Sequence, residues 1–238
     1  MIRIVEIGDT TFQGKTEPVL CRGEDGFDYV VKGQFAGSRA LIAEWIANRL
    51  GRLIDLPIPE FELMYLDSNL LKYGIKQREA QNLGKGTLFG SRRIANLVEI
   101  RASDLGLINV DLRAKVLAFD WWICNADRIL IDGGGNPNLL WSEDKKELVV
   151  IDHNLAFEPT LMGDFWMEHA LRDSIKQWNS TFREGMELAF KGALEHLQSI
   201  WSELPSEWIE SPNAQAIKEV EALLWRFDRE PSMFWRAG

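Results

Sequence analysis

An α+β chain of two lobes is the fold class this 238-residue sequence predicts. Three observations carry the prediction. β-type runs separated by Gly- and Asp-rich turns crowd the first third. Apolar residues recur at helical spacing from about residue 110 onward. One short hairpin pattern, over residues 138–152, is embedded in the helical half. The length suits one large domain or one domain with two lobes. The boundary falls near residues 90–100, giving a strand-rich N-lobe over 1–95 and a helical C-lobe over 96–238.

The elements follow in order. Residues 2–8 alternate like a strand, and the segment after them, with Gly8 and Gly14, is turn-rich. "PVLCR" and "FDYVVKG" are two strand runs joined by Gly23–Gly26, a hairpin signal. Asp28, Val30 and Lys32 fall on one face of the second run. Ser38 is a candidate N-cap for a helix in which Leu41, Ile42, Trp45, Ile46 and Arg49 form one stripe, ending near Gly51. Pro57 and Pro59 interrupt the helix, and residues 60–66 read as a strand. Residues 68–85 have no clear period, and "GTLFGSRRI" is a short strand or turn. A second helix starts at about Val110, where Leu112, Val116, Phe119 and Ile123 recur. Residues 138–141 and 148–152 are strands around the turn "SEDKKE", and helix dominates from about Met167. Six of the ten Trp lie beyond Trp141, which implies an aromatic core there rather than a base-stacking platform, since no basic groove accompanies them.

Composition narrows the function classes. A net charge of −9 opposes direct nucleic-acid binding, which depends on Lys and Arg, and opposes an anionic membrane surface. No stretch approaches the roughly 18 apolar residues of a membrane span, and the N-terminus has no secretion-signal pattern. The expectation is a soluble, cytoplasmic chain. Cys21 and Cys124 sit in apolar runs and read as two buried free thiols, not a disulfide framework.

The chemistry gathers at the edges of apolar runs. Asp127 follows the second helix, Asn138 leads into the first hairpin strand, and Asp152 closes the second. A hairpin brings Asn138 and Asp152 together. Their oxygens are hard ligands of the kind Mg²⁺ takes one or two of, beside phosphate and water. A further carboxylate nearby, Asp127, can orient a hydroxyl nucleophile. That is the order of parts in a kinase: catalytic Asp, metal Asn, metal Asp. "DYVVKG" then matches the strand whose Lys holds nucleotide phosphates, with Lys32 in that place. Glu44, 12 residues on and on the following helix, is placed to pair with it.

The whole set, "NADR…NPNLLW…VVIDHNLAF" with upstream "YVVKG…AEW…LPIPE", resembles the HipA-like kinases, which have a protein-kinase-like fold and are more distantly similar to phosphoinositide kinases. The resemblance runs from Pro18 to Phe157 and is strongest over residues 119–157. It implies Lys32 as the ATP lysine, Glu44 as its helix partner, Asp127 as catalytic base, and Asn138 and Asp152 as metal ligands. It also implies ATP and Mg²⁺ and a Ser or Thr acceptor on a protein, and it leaves open, without implying it, an antitoxin-like partner of the kind toxin–antitoxin kinases have. A small-molecule acceptor is equally open. The chain departs from the pattern in several places. The metal Asn usually follows the catalytic Asp by about five residues. Here the interval is 11 to Asn138 and 9 to Asn136, with "ILIDGGG" as an insertion. Asn138 is preferred because it adjoins "LLW", and Asn136 is the alternative. Asp152 is followed by His153, a pairing usual in these relatives. No G-x-G-x-x-G loop occurs, so the phosphate loop rests on Gly14. The chain is shorter than the toxin kinases, and the expectation is that their extra N-terminal domain is absent.

Plain structural readings stand beside these. Lys32 and Glu44 taken singly could be solvated surface charges. Asn125, Asp127, Asn136, Asn138 and Asp152 could be turn formers, Asp127 paired to Arg128. Asp120 reads as an anchor of the catalytic loop from the preceding helix, His153 as a hydrogen-bonded structural residue, His169 and His196 as helix residues, and Asp132 as exposed. Two rival functions follow. One is a nucleotide-binding pseudokinase, favoured by the long loop. The other is a metal-dependent hydrolase, disfavoured by the lack of clustered His ligands.

Overall fold

Five strands close into a small barrel in the order β1-β2-β3-β5-β4: β1 Ile2–Thr10, β2 Val19–Gly23, β3 Asp28–Lys32, β4 Phe61–Leu66 and β5 Thr87–Arg92. The computed structural model describes residues 1–10, 16–73, 76–131 and 134–235. All neighbours in the barrel are antiparallel except β1 and β4, which run parallel. Alternation puts Ile4, Val19, Cys21, Tyr29, Val31, Met64 and Leu88 inside. Gly90 is required there: a Cβ would lie 2.2 Å from Met64 Sδ. Two short helices, α2 (Ser68–Tyr73) and α3 (Gln77–Leu83), occupy the segment without a sequence period, and α3 adds Ala80 and Leu83 to the barrel core. Gly8 lies within β1, not in a turn. A Cβ there would stand 2.8 Å from the Leu20 carbonyl, so glycine serves close strand approach.

Between β3 and β4 runs α1, Ser38–Leu53. Residues 41–48 are all buried, polar Glu44 and Asn48 included, as in a helix packed all round. One sequence expectation changes here. Arg49 is exposed rather than part of the buried stripe, and its guanidinium pairs with Glu203. α1 ends at Leu53, in the region of Gly51, where a Cβ would meet Ile58 Cδ1 at 2.4 Å and Phe119 Cζ at 3.1 Å.

The chain divides into two units by its contacts. The barrel unit comprises Met1–Trp45, Pro59–Ala95 and Leu204–Ala214, and the second unit comprises Ile46–Ile58, Asn96–Glu203 and Gln215–Gly238. Residues 46–58 and 204–214 therefore cross the boundary read from the sequence. The reason at 204–214 is visible in the barrel unit. Trp208 is buried and donates its indole N–H to the Thr87 carbonyl at 3.0 Å, while Glu207 accepts the Thr87 amide.

In the second unit, β6 (Leu97–Glu99) is an edge strand that sequence patterning leaves unassigned. α4 (Val110–Trp122) follows, capped by Asn109, whose side chain accepts from the amides of Asp111 and Leu112. The "ILIDGGG" insertion carries a hairpin of its own, β7 (Ile129–Ile131) and β8 (Gly134–Asn136). Then come β9 (Leu139–Ser142) and β10 (Glu147–Val150), the embedded hairpin, which with β6 make a three-stranded sheet in the order β10-β9-β6. Helices α5 (Phe165–Glu168) and α6 (Ser180–Leu194) lead into the C-terminal segment. The core is aromatic, as the Trp count implies. Trp122 stacks on Phe190 with centroids 4.0 Å apart and donates to the Leu224 carbonyl at 2.8 Å, so its polar tip is satisfied as its rings are buried. Cys21 and Cys124 are buried and free, and burial pushes the Cys21 thiol up to about 12.

Candidate active site

In the barrel unit, Lys32 ends β3, opposite Phe89 of β5, and is only 6% exposed. Its ammonium is paired with the Glu44 carboxylate of α1, itself 2% exposed. The solvated readings of both residues therefore fail. Two charges taken out of water persist only because each neutralises the other. Mutation should show this as non-additivity. Lys32→Met combined with Glu44→Leu is expected to be less destabilising than the two single changes summed, with a coupling of about 0.5–3 kcal/mol in urea unfolding. Additive effects would mean that the pair does not act as a unit. Gly14, the proposed phosphate-loop residue, lies outside the described residues.

In the second unit the polar tips converge. Ile151 donates its amide to the Asn138 carbonyl at 3.1 Å, continuing the β9–β10 ladder by one rung, so Asp152 is the residue next after the ladder partner of Asn138. Asn138 is 5% exposed, and its Nδ2 donates to both the backbone oxygen of Asp127 (3.0 Å) and its carboxylate Oδ2 (3.3 Å). That leaves Oδ1 as the acceptor atom of the Asn138 amide. Asn136 is exposed on β8, paired with Ile129 of β7, and makes no such contact with Asp127 among the described residues. Asp127 and Asp152 are half-buried. Asn138 (φ 51°) and Asp152 (φ 59°) both adopt the left-handed backbone region, which Asn and Asp tolerate better than other non-glycine residues.

The residue that assembles these segments is Arg128, wholly buried. Its Nε and Nη2 donate to the Asp120 carboxylate at 2.7 and 3.2 Å. Its Nη1 faces the carbonyls of Pro137, Asn138 and Ile151 at 3.2, 2.7 and 3.3 Å. Nη2 also reaches His153 Nε2 at 3.3 Å. One guanidinium thus joins the end of α4, the entry to β9, the exit of β10 and the residue after Asp152, using the fork of donors that only Arg supplies. Asp120 is wholly buried and also accepts from Asn125 Nδ2 (2.9 Å) and His169 Nε2 (3.0 Å). Burial pushes its carboxyl up, but the Arg128 charge and the His169 hydrogen bond outweigh this and hold it well below the usual carboxylate range. His169 Nδ1 accepts the Leu171 amide, so the ring is the neutral Nε2–H tautomer. Burial pushes its pKa down despite the Asp120 bond.

Both shifts have the same sign for stability. A folded-state pKa below the unfolded one means that the unfolded chain binds more protons, so stability falls as pH drops. For His169 the loss begins near the ordinary value of about 6.5, and for Asp120 it begins only near about 4. The urea midpoint should therefore decline as pH falls from 7 to 5, and His169→Gln, which keeps a donor toward Asp120, should flatten that decline. An unchanged slope in His169→Gln would remove His169 as its source.

A family model described as HipA-like kinase matches residues 4–237. The chain belongs to the HipA-like kinase family. No curated protein matches it. Among solved structures, one titled "Structure of the open conformation of CtTel1" is similar at 16% identity and a TM-score of 0.33, over 95% of this chain and 11% of that one. This chain thus spans about a tenth of that protein's length, and a likeness of that degree carries no argument.

Within this HipA-like kinase, the structure brings together Asp127, Asn138 and the segment of Asp152, and separately Lys32 with Glu44. Asp120 anchors the loop from α4, as its position suggested. Arg128 was missed: sequence reasoning considered it only as a partner of Asp127, whereas it binds Asp120. The signal was a lone Arg among apolar runs eight residues after a lone Asp in a helix core. His153 is the hydrogen-bonded residue it was read to be.

Proposed function

We propose that this HipA-like kinase transfers the γ-phosphoryl group of ATP, with Mg²⁺, to a hydroxyl of a protein acceptor. The observation that carries the reading is the two-point contact of Asn138 Nδ2 with Asp127, on a strand whose ladder partner leads into Asp152. The donor chemistry fits Mg²⁺: an amide oxygen and a carboxylate, both hard, on backbone held by Arg128. Among the described residues no three His, Cys, Asp or Glu side chains form a metal cage, and a kinase metal shared with phosphate oxygens requires none. When bound by Asn138 and Asp152, Mg²⁺ would supply charge neutralisation on the phosphates. Asp127 accepts the acceptor's hydroxyl proton as the new O–P bond forms and the bond to the β-phosphate oxygen breaks, releasing ADP. Lys32, held by Glu44, binds phosphate oxygens. A cavity of about 650 Å³ beside Pro137, between residues 98–104 and the β7–β8 hairpin, offers an approach for the acceptor. The net charge of −9 argues against nucleic acid as the acceptor, and no helix among the described residues is long and apolar enough to cross a membrane.

The test is transfer of radiolabelled γ-phosphate by the purified protein, with Mg²⁺ or EDTA, beside Asp152→Ala. Label entering protein only with Mg²⁺, and lost in the variant, supports the proposal. The β7–β8 hairpin between Asp127 and Asn138 favours a second reading, a pseudokinase that binds nucleotide as an interaction module. Tight Mg-ATP binding without transfer to any protein or water would select that reading.

A further inference from the structure

The mechanism gives no work to two buried polar side chains, Asn48 and His153. His153 is wholly buried, edge-on to the Phe119 ring at 5.8 Å. Its Nε2 lies 3.3 Å from Arg128 Nη2, a group that only donates, so Nε2 accepts and Nδ1 carries the proton. That Nδ1–H donates to Asn48 Oδ1 at 2.8 Å, and Asn48 is 4% exposed on α1. The imidazole is therefore fixed at both ends in one neutral tautomer. It is also the residue directly after Asp152, whose backbone sits in the left-handed region.

We propose that His153 and Asn48 are positioning residues for Asp152, holding its carboxylate in the orientation that receives the divalent metal. This rests on the kinase reading above. A residue at φ 59° has a poorly populated backbone well to keep, and a buried ring clamped by two hydrogen bonds one residue on is the means of keeping it. α1 supplies one end of the clamp.

The test reads metal dependence, not turnover. Calorimetric binding of ATP is measured across a Mg²⁺ titration and in EDTA, for wild type, Asn48→Leu, Asn48→Gln and His153→Phe. Phe keeps the packing on Phe119 and removes both hydrogen bonds. Gln keeps an uncharged amide whose oxygen can accept the imidazole N–H. The Mg²⁺ concentration giving half-maximal ATP binding should rise about 10- to 100-fold in Asn48→Leu and His153→Phe, the range typical of lost outer-sphere support. Binding in EDTA should be unchanged, and Asn48→Gln should stay closer to wild type than Asn48→Leu. Circular dichroism and thermal midpoints establish folding, and if His153→Phe fails to fold, Asn48→Leu against Asn48→Gln decides. Folded variants with wild-type Mg²⁺ dependence overturn the proposal. So does an equal loss of binding in Mg²⁺ and EDTA, which marks a general structural role. A wild type that binds no nucleotide under either condition removes the kinase reading itself, a result separate from both.

Discussion

Arg128→Ala should remove about 3–5 kcal/mol of the folding free energy, a large share of what a domain has. The substitution leaves Asp120 ionised, wholly buried and without its cation, a change that costs about 3–5 kcal/mol in comparable sites. The carbonyls of Pro137, Asn138 and Ile151 lose a donor in the same step. A typical domain has a total of only about 5–15 kcal/mol to lose. Arg128→Lys is not a rescue. One ammonium keeps the charge but cannot span a carboxylate, three carbonyls and an imidazole. Neutralising both partners, Arg128→Met with Asp120→Leu, should recover part of the loss by removing the unpaired charge. Urea unfolding followed by Trp fluorescence measures all three. An Arg128→Ala protein with a midpoint near wild type would show that the cluster does not hold these segments.

Asp127→Asn should lower phosphoryl transfer by about 10²- to 10⁴-fold, the usual contribution of a positioned general base, while fold and Mg-ATP affinity persist. The amide oxygen of the new Asn can still accept from Asn138 Nδ2, so the geometry of the loop is preserved and only proton acceptance is lost. The effect should fall on kcat, with KM for ATP unchanged, since the carboxylate acts on the acceptor hydroxyl. Turnover within tenfold of wild type would remove Asp127 from that role.

What could be read from the sequence was what local periodicity encodes. The β2–β3 hairpin, α1, α4 and the β9–β10 hairpin were each visible because alternation or helical spacing survives in a short window. The order Lys32, Glu44, Asp127, Asn138, Asp152 carried the resemblance. β6, the β7–β8 hairpin, α2 and α3 were not legible. They are three to seven residues long, and β8 is Gly-Gly-Asn, with no side-chain pattern to read. Which of Asn138 and Asn136 is buried beside Asp127 depends on strand register, which no local window shows. Arg128 was opaque for a different reason. Its partners are one carboxylate, one imidazole and three backbone carbonyls, and backbone oxygens leave no mark in a sequence. The 204–214 segment joins the barrel unit through Trp208 and Glu207, contacts more than a hundred positions distant from Thr87 that no local window contains.

The left-handed backbone at Asn138 and Asp152 restricts the alphabet available to the site independently of its chemistry. A Glu at position 152 or a Gln at position 138 offers the same donor atoms, yet each asks a longer side chain to occupy a backbone well that Asn, Asp and Gly enter far more readily. Glycine satisfies the backbone and supplies no donor. Asn and Asp alone meet both demands. A library screened only for folding should therefore favour Asn, Asp and Gly at these two positions, and later selection for phosphoryl transfer should remove Gly from both.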